Sequence, residues 1–256
     1  MTDSGPCEER GRLEIGDGAS LAYARVAAAD DDRRPGVLWL GGYRSDMDGT
    51  KATRLAEWAA ATGRAFARFD YRGHGRSDGA FEDFVVSDWL ADAKRALDAL
   101  TRGPQILVGS SMGGWIAARL ALAEPARVAG VVVIAPALDF TEKLVEPALD
   151  DAARASLETA GRLEVPSDYG APTVYTRALI EDGRRLGLLG RPIPIAAPVR
   201  IIQGMADAEV PWRHAMALAE ALASDDVEIA LTKNGDHRLS TAADLERLVA
   251  TIEALA

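Results

Sequence analysis

Three stretches of this chain, Val37 to Leu40, Ile106 to Val108 and Val131 to Ile134, are apolar at every position. A strand without polar alternation must be covered on both faces, and a parallel sheet with helices on each side meets that demand. Those stretches lie in GVLWLGG, QILVG and VAGVVVIAPA, and further β-type runs stand at RLEIG, SLAYARVA, RAFARFDY, VRIIQG and VEIALTK. Between them, Thr50 to Thr62, Asp83 to Leu100, Gly114 to Ala123, Trp212 to Ala223 and Thr241 to Leu255 carry apolar residues at three-to-four spacing, which predicts helices. The alternation predicts an α/β fold built on a mostly parallel eight-stranded sheet flanked by helices. The first two runs flank an Asp17-Gly18 turn and should form a hairpin at the antiparallel edge.

The rhythm fails from about Asp139 to Ala197, where weaker helical stretches are separated by Pro147, Pro166, Pro172, Pro192, Pro194 and Pro198. This predicts a small helical cap, residues 139–197, inserted before the strand VRIIQG within a single domain spanning 1–256. An insertion there falls at the carboxyl ends of the strands, over the crevice where open α/β sheets bind ligands.

The chemistry-bearing motif is Gly109-Ser110-Ser111-Met112-Gly113, a G-x-S-x-G pattern set between the strand QILVG and the helix GGWIAARLALA. A sharp strand-to-helix turn lifts the central serine out of the sheet, and glycines on both sides remove side chains that would collide across it. Ser111 therefore takes the nucleophile position, and Ser110 is a packing residue. A serine hydroxyl needs a base for its proton, normally a histidine held by a carboxylate. The chain has three histidines. When acid and then histidine follow the elbow serine along the chain, His237 in NGDHRLS is the base. His74 and His214 are left with structural roles, His214 on a helix surface. The acid should follow VRIIQG, where Asp207 and Glu209 compete. Asp207 stands closer to the strand end and is assigned the role, while Asp236, adjacent to His237, is structural. Oxyanion donors are expected from the Met112 N–H and, after the glycine pair Gly41-Gly42, the Tyr43 N–H.

With these pieces placed, the chain resembles an α/β-hydrolase over essentially its whole length. DYRGHGRSDG (70–79) is similar to the loop that many members carry before the nucleophile strand. GYRSDMDGTKA, GPQILVGSSMGGW, GMADAEVPW and DHR are similar to the palmitoyl-protein thioesterase branch, whose mitochondrial members are also described as acyl-glucuronide esterases. The likeness implies a small-molecule or acylated-protein ester or thioester substrate, with Ser111, Asp207 and His237 at the triad positions and no metal or organic cofactor. Other readings stay open: a general carboxylesterase, lipase or C–C bond hydrolase with the same triad, or a ligand-binding member without turnover. A dehalogenase would need a carboxylate where Ser111 stands.

Charge and cysteine content bear on setting. A net charge of −10 repels nucleic acid and anionic membranes. The single cysteine, Cys7, permits no internal disulfide. The first residues carry acids and no apolar stretch of signal length, nor the extended targeting segment of the mitochondrial enzymes, and no run approaches membrane-spanning length. The expectation is a cytoplasmic protein without membrane insertion, of open oligomeric state. In the cap, Leu144, Val145, Leu149, Leu186, Leu188 and Leu189 could line an apolar channel. Arg177, Arg184, Arg185 and Arg191 could face a substrate carboxylate or phosphate, though solvated surface charge is the simpler reading.

Overall fold

The computed structural model describes residues 8–16, 18–165 and 172–255; Cys7, Asp17 and Pro166 lie outside them. In chain order the elements are β1 (Glu9–Gly16), β2 (Ala19–Val26), β3 (Gly36–Leu40), α1 (Thr50–Thr62), β4 (Phe66–Phe69) and α2 (Val86–Leu100). Next come β5 (Gln105–Ser110), α3 (Met112–Ala123), β6 (Val128–Ile134), the single turn α4 (Glu146–Ala148), α5 (Asp151–Ala160), β7 (Arg162–Val165) and β8 (Thr173–Thr176). The chain closes with α6 (Arg177–Leu186), β9 (Val199–Gly204), α7 (Trp212–Ala221), β10 (Val227–Thr232) and α8 (Ala242–Glu253).

All eight expected strands enter one sheet of order β1-β2-β4-β3-β5-β6-β9-β10. The six strands from β4 to β10 run parallel, whereas β1 with β2 and β2 with β4 are antiparallel. After β3 the chain turns to β4 on one side and then crosses to β5 on the other. That reversal opens a crevice at the carboxyl ends of β3 and β5. Alternate side chains of each apolar run go to opposite faces, which is why no position could be polar. Leu38, Leu40, Leu107, Val131 and Val133 pack with Trp89, Leu97, Ile116 and Leu120 of α2 and α3. Val37, Trp39, Ile106, Val108 and Val132 pack with Leu55, Trp58, Leu248 and Ile252 of α1 and α8.

Helix ends differ from expectation where local chemistry intervenes. Residues 81–83 form a separate 3-10 turn, and α2 starts at Val86, where the Asp88 carboxylate accepts the Val85 N–H at 3.0 Å and closes the first turn. Helix α3 begins at Met112, two residues early, because the turn at Ser111 enters the helix directly. Thr241 is the N-cap of α8, its hydroxyl donating to Asp244 at 2.6 Å.

Between β6 and β9 the insert is not purely helical. β7 and β8 pair antiparallel from Arg162↔Thr176 to Val165↔Thr173, a ladder of four-residue strands too short to show a period. Buried Asp139, at φ 52°, accepts the Leu188 and Leu189 N–H groups and so ties the two ends of the insert together. Contacts with the core include Asp182, which accepts the Ser87 N–H and hydroxyl, and Trp115 Nε1, which donates to Leu186 O. Among the described residues no helix is long and apolar enough to cross a membrane.

Candidate active site

Ser111 follows the last residue of β5 with φ 54° and ψ −120°, a conformation that side chains rarely adopt. The turn holds because Ser111 N donates to Ile134 O at 2.9 Å, and Ser111 O accepts the Gly114 and Ala137 N–H groups. It also holds because of what its glycines lack. A Cβ on Gly109 would stand 2.2 Å from Gly113 O, and one on Gly113 only 2.0 Å from Leu40 O. The close approach of α3 to both strands therefore requires glycine at these two positions.

Asp207 and His237 come from loops after β9 and β10 and meet at this turn. His237 Nδ1 donates to Asp207 Oδ2 at 2.8 Å, which leaves Nε2 to accept from Ser111 Oγ at 3.2 Å. Asp207 is 8% exposed. Burial acts to raise its pKa, but the His237 hydrogen bond and the Val210 and Glu209 N–H groups on Oδ1 outweigh it and hold the carboxyl below its usual range. Gln203, buried near the end of β9, donates from Nε2 to Asp207 Oδ2 at 3.1 Å and so helps fix the carboxylate plane. A glutamine directly after Ile201 and Ile202, at the strand end that precedes Asp207, is the sequence signal for it. Glu209, the competing acid, stands beside the relay, with Oε2 3.7 Å from His237 Nε2. Asp236 instead accepts the Leu239 N–H at 2.9 Å and shapes its own turn.

Met112 is the first residue of α3, so its N–H has no partner within the helix. Across the crevice, a Cβ on Gly42 would lie 3.4 Å from Ser111 Cβ, which brings the loop after β3, and Tyr43 with it, against the serine. The loop DYRGHGRSDG holds that placement. Asp70 accepts the Met47 N–H at 2.7 Å and the Arg76 N–H at 2.8 Å, and His74 Nε2 accepts the Arg44 N–H at 3.2 Å, next to Tyr43. His74 is thus a structural tie. Its imidazole, 3% exposed, is pushed by burial down to about 4.

The unfolded chain protonates this ring below about pH 6.5, whereas the folded one resists until about 4. His74 therefore costs no stability above pH 6.5 and removes up to about 3 kcal/mol as pH falls toward 4. A His74→Gln protein should show a shallower fall of Tm between pH 7 and 4.5 than wild type. An unchanged slope would contradict the assignment.

Ser111 and His237 open into a cavity of about 540 Å³, within the range of small-molecule sites. One wing is apolar, formed by Met112, Ala137, Phe140, Leu144, Val145, Tyr175 and Val210. Polar side chains of Ser45, Asp46, Thr50, Lys51, Arg238 and Ser240 form the other, where Lys51 bonds the Arg238 carbonyl. Tyr43 stacks on Tyr175 at 5.6 Å between ring centres, and its hydroxyl donates to Val174 O at 2.6 Å, linking the β3 loop to the insert.

The other cap expectations divide. Leu144 and Val145 line the cavity, but Leu188 is buried in the core, and Leu186 and Leu189 pack against it. Arg177 pairs with Glu181, Arg184 with Glu146 and Arg185 with Asp182, while Arg191 donates to Gly187 O, so the surface reading of these arginines holds. His214 does not lie on a helix surface. Its Nε2 donates to Leu138 O at 2.8 Å, because α7 turns that face toward the loop after β6.

Comparison with known proteins agrees with this architecture. A family model described as Hydrolase_4, serine aminopeptidase, S33, matches residues 35–182. The chain is 38% identical over 243 residues to the mitochondrial palmitoyl-protein thioesterase ABHD10 of Bos taurus, covering 92% of this chain and 76% of that protein. The solved structure of mouse α/β-hydrolase domain-containing protein 10 superposes with TM-score 0.88 at 36% identity, covering 96% of this chain and 98% of that one. A crystal structure from Agrobacterium vitis S4, described as a hydrolase, superposes with TM-score 0.91 at 46% identity, covering 98% of both chains. These findings overturn the expected cytoplasmic setting, since the curated thioesterase relatives are mitochondrial proteins. A lone cysteine speaks only against a disulfide framework, which does not separate one reducing compartment from another.

Proposed function

Because the chain belongs to the α/β-hydrolase family and is an ester or thioester hydrolase, we propose that Ser111, Asp207 and His237 carry its reaction. The observation behind this is the relay of 2.8 and 3.2 Å from Asp207 through His237 to Ser111, at the junction of an apolar and a polar wing. Ser111 Oγ attacks the acyl carbonyl while its proton passes to His237 Nε2. The Met112 and Tyr43 N–H groups receive the oxyanion that develops. Collapse of the tetrahedral adduct breaks the bond to the leaving sulfur or oxygen, which takes the proton from His237. Water then attacks the acyl carbonyl while giving a proton to His237, and collapse of this second adduct breaks the bond to Ser111 Oγ, which takes the proton back from His237 as the acid leaves. Asp207 keeps the Nδ1–H tautomer and stabilises the imidazolium formed in each half.

Phe140, Leu144, Val145 and Tyr175 supply the acyl wing, so the insert 139–197 acts as the cap that selects the chain. A thiol, with a pKa of about 8.5, leaves more easily than an alcohol, so thioesters rely less on proton donation by His237. A series of acyl-CoA thioesters from two to sixteen carbons tests the assignment. Each methylene accepted by the apolar wing is worth up to about 0.8 kcal/mol, so kcat/KM should rise several-fold per added pair of carbons until the wing is full. A flat dependence on chain length would remove the apolar wing from the account.

A further inference from the structure

We propose that Lys51 and Arg238 form a subsite for an anionic group, a carboxylate or a phosphate, on the leaving-group half of the substrate. This rests on the acyl-transfer reading, because His237 must reach the leaving heteroatom to protonate it. The leaving group therefore departs on the His237 side of the cavity, and Lys51 and Arg238 stand there. Lys51, second residue of α1, is half-buried and donates from Nζ to Arg238 O, directly after His237, with Ser240 Oγ at 3.5 Å. Both acceptors are neutral, and an ammonium carries three N–H bonds. Asp236 and Asp244 favour its charge only through space, and the first turn of α1 holds no acid. The result is a half-buried ammonium lining the cavity with no carboxylate in ion-pair contact among the described residues, a costly arrangement that an anion in the polar wing would relieve. The exposed Arg238 side chain lines the same wing.

The surroundings support this choice over the cap arginines. Arg44 also lines the cavity, but its guanidinium donates to Pro172 O and lies over the Phe81 ring. Of the lining acids, Asp46 accepts the Asp48 N–H at 2.8 Å, and Glu209 leans on His237. Among the described lining residues, Arg44, Lys51 and Arg238 carry positive charge beside Asp46 and Glu209.

Octanoyl thioesters of 3-mercaptopropionate, of its neutral amide and of phosphopantetheine present one acyl group with a carboxylate, no charge or a phosphate. Wild type should favour at least one anionic substrate over the amide by about tenfold or more in kcat/KM, the effect of one hydrogen bond to a charged group. Which anion it favours identifies the source. Lys51→Gln keeps a donor for the Arg238 carbonyl, and Arg238→Gln keeps the carbonyl itself. Each should lower the anion-to-amide ratio several-fold, chiefly through KM. Equal losses on charged and neutral substrates would mean that Lys51 only anchors the His237 loop, and would overturn the subsite, as would a wild-type ratio of one. Failure of wild type to cleave any of the three, the amide included, would overturn the acyl-transfer reading itself.

Discussion

Replacing Ser111 by alanine is expected to lower kcat on acyl thioesters by about 10⁴-fold or more while leaving KM within a few-fold of wild type. The fold has no reason to suffer. Alanine at φ 54° is no more strained than serine, and the hydrogen bonds that hold the turn are made by Ser111 backbone atoms with Ile134, Gly114 and Ala137. In the proposed mechanism the lost oxygen is the atom that accepts the acyl chain. What remains is a cavity that still binds substrate and two N–H groups that still polarise its carbonyl, which explains an expected residual rate above that in water. Stopped-flow or steady-state thioesterase assays on the folded variant read this directly. Activity within tenfold of wild type would mean that another group attacks.

Asp207→Asn should cost about 10³- to 10⁴-fold in kcat, somewhat less than the serine change. Oδ1 of Asp207 accepts two N–H groups, from Glu209 and Val210, so an asparagine would turn its carbonyl oxygen to them. Its NH₂ would then face His237 Nδ1, which must become the acceptor. The imidazole proton moves to Nε2, where it can no longer receive the Ser111 proton. The same amide would confront the Gln203 Nε2 donor, so a modest drop in Tm should accompany the kinetic loss. The alkaline limb of the pH profile distinguishes a tautomer defect from unfolding: with the fold intact, residual activity should rise with pH as hydroxide replaces the missing base. A variant with normal kcat would take Asp207 out of the relay.

The sheet was readable in the sequence because burial on both faces leaves a mark at every position, as Val37 to Leu40 and Val131 to Ile134 show. The turn at Ser111 was readable for a related reason: only glycine can stand at 109 and 113, so a composition rule substitutes for a geometric one. The insert was less legible. Its β7–β8 ladder has four residues per strand, and its leucines carry the same pattern whether they face a cavity or the core. Lys51 and Arg238, far apart along the chain, could not be paired by any local rule, since their meeting depends on how the α1 start and the His237 loop converge. Chain order excludes His74 as the base but is silent about its tie to Arg44, which holds the loop bearing Tyr43.

In the proposed reaction the acyl group passes through Ser111 Oγ. Treatment with a fluorophosphonate followed by intact-mass and peptide mapping tests it most directly. A single adduct per chain is expected, carried by the peptide that spans QILVGSSMGGW, assigned to Ser111 rather than Ser110 and absent from Ser111→Ala. An adduct on Ser110 or elsewhere, or undiminished labelling of Ser111→Ala, would contradict it.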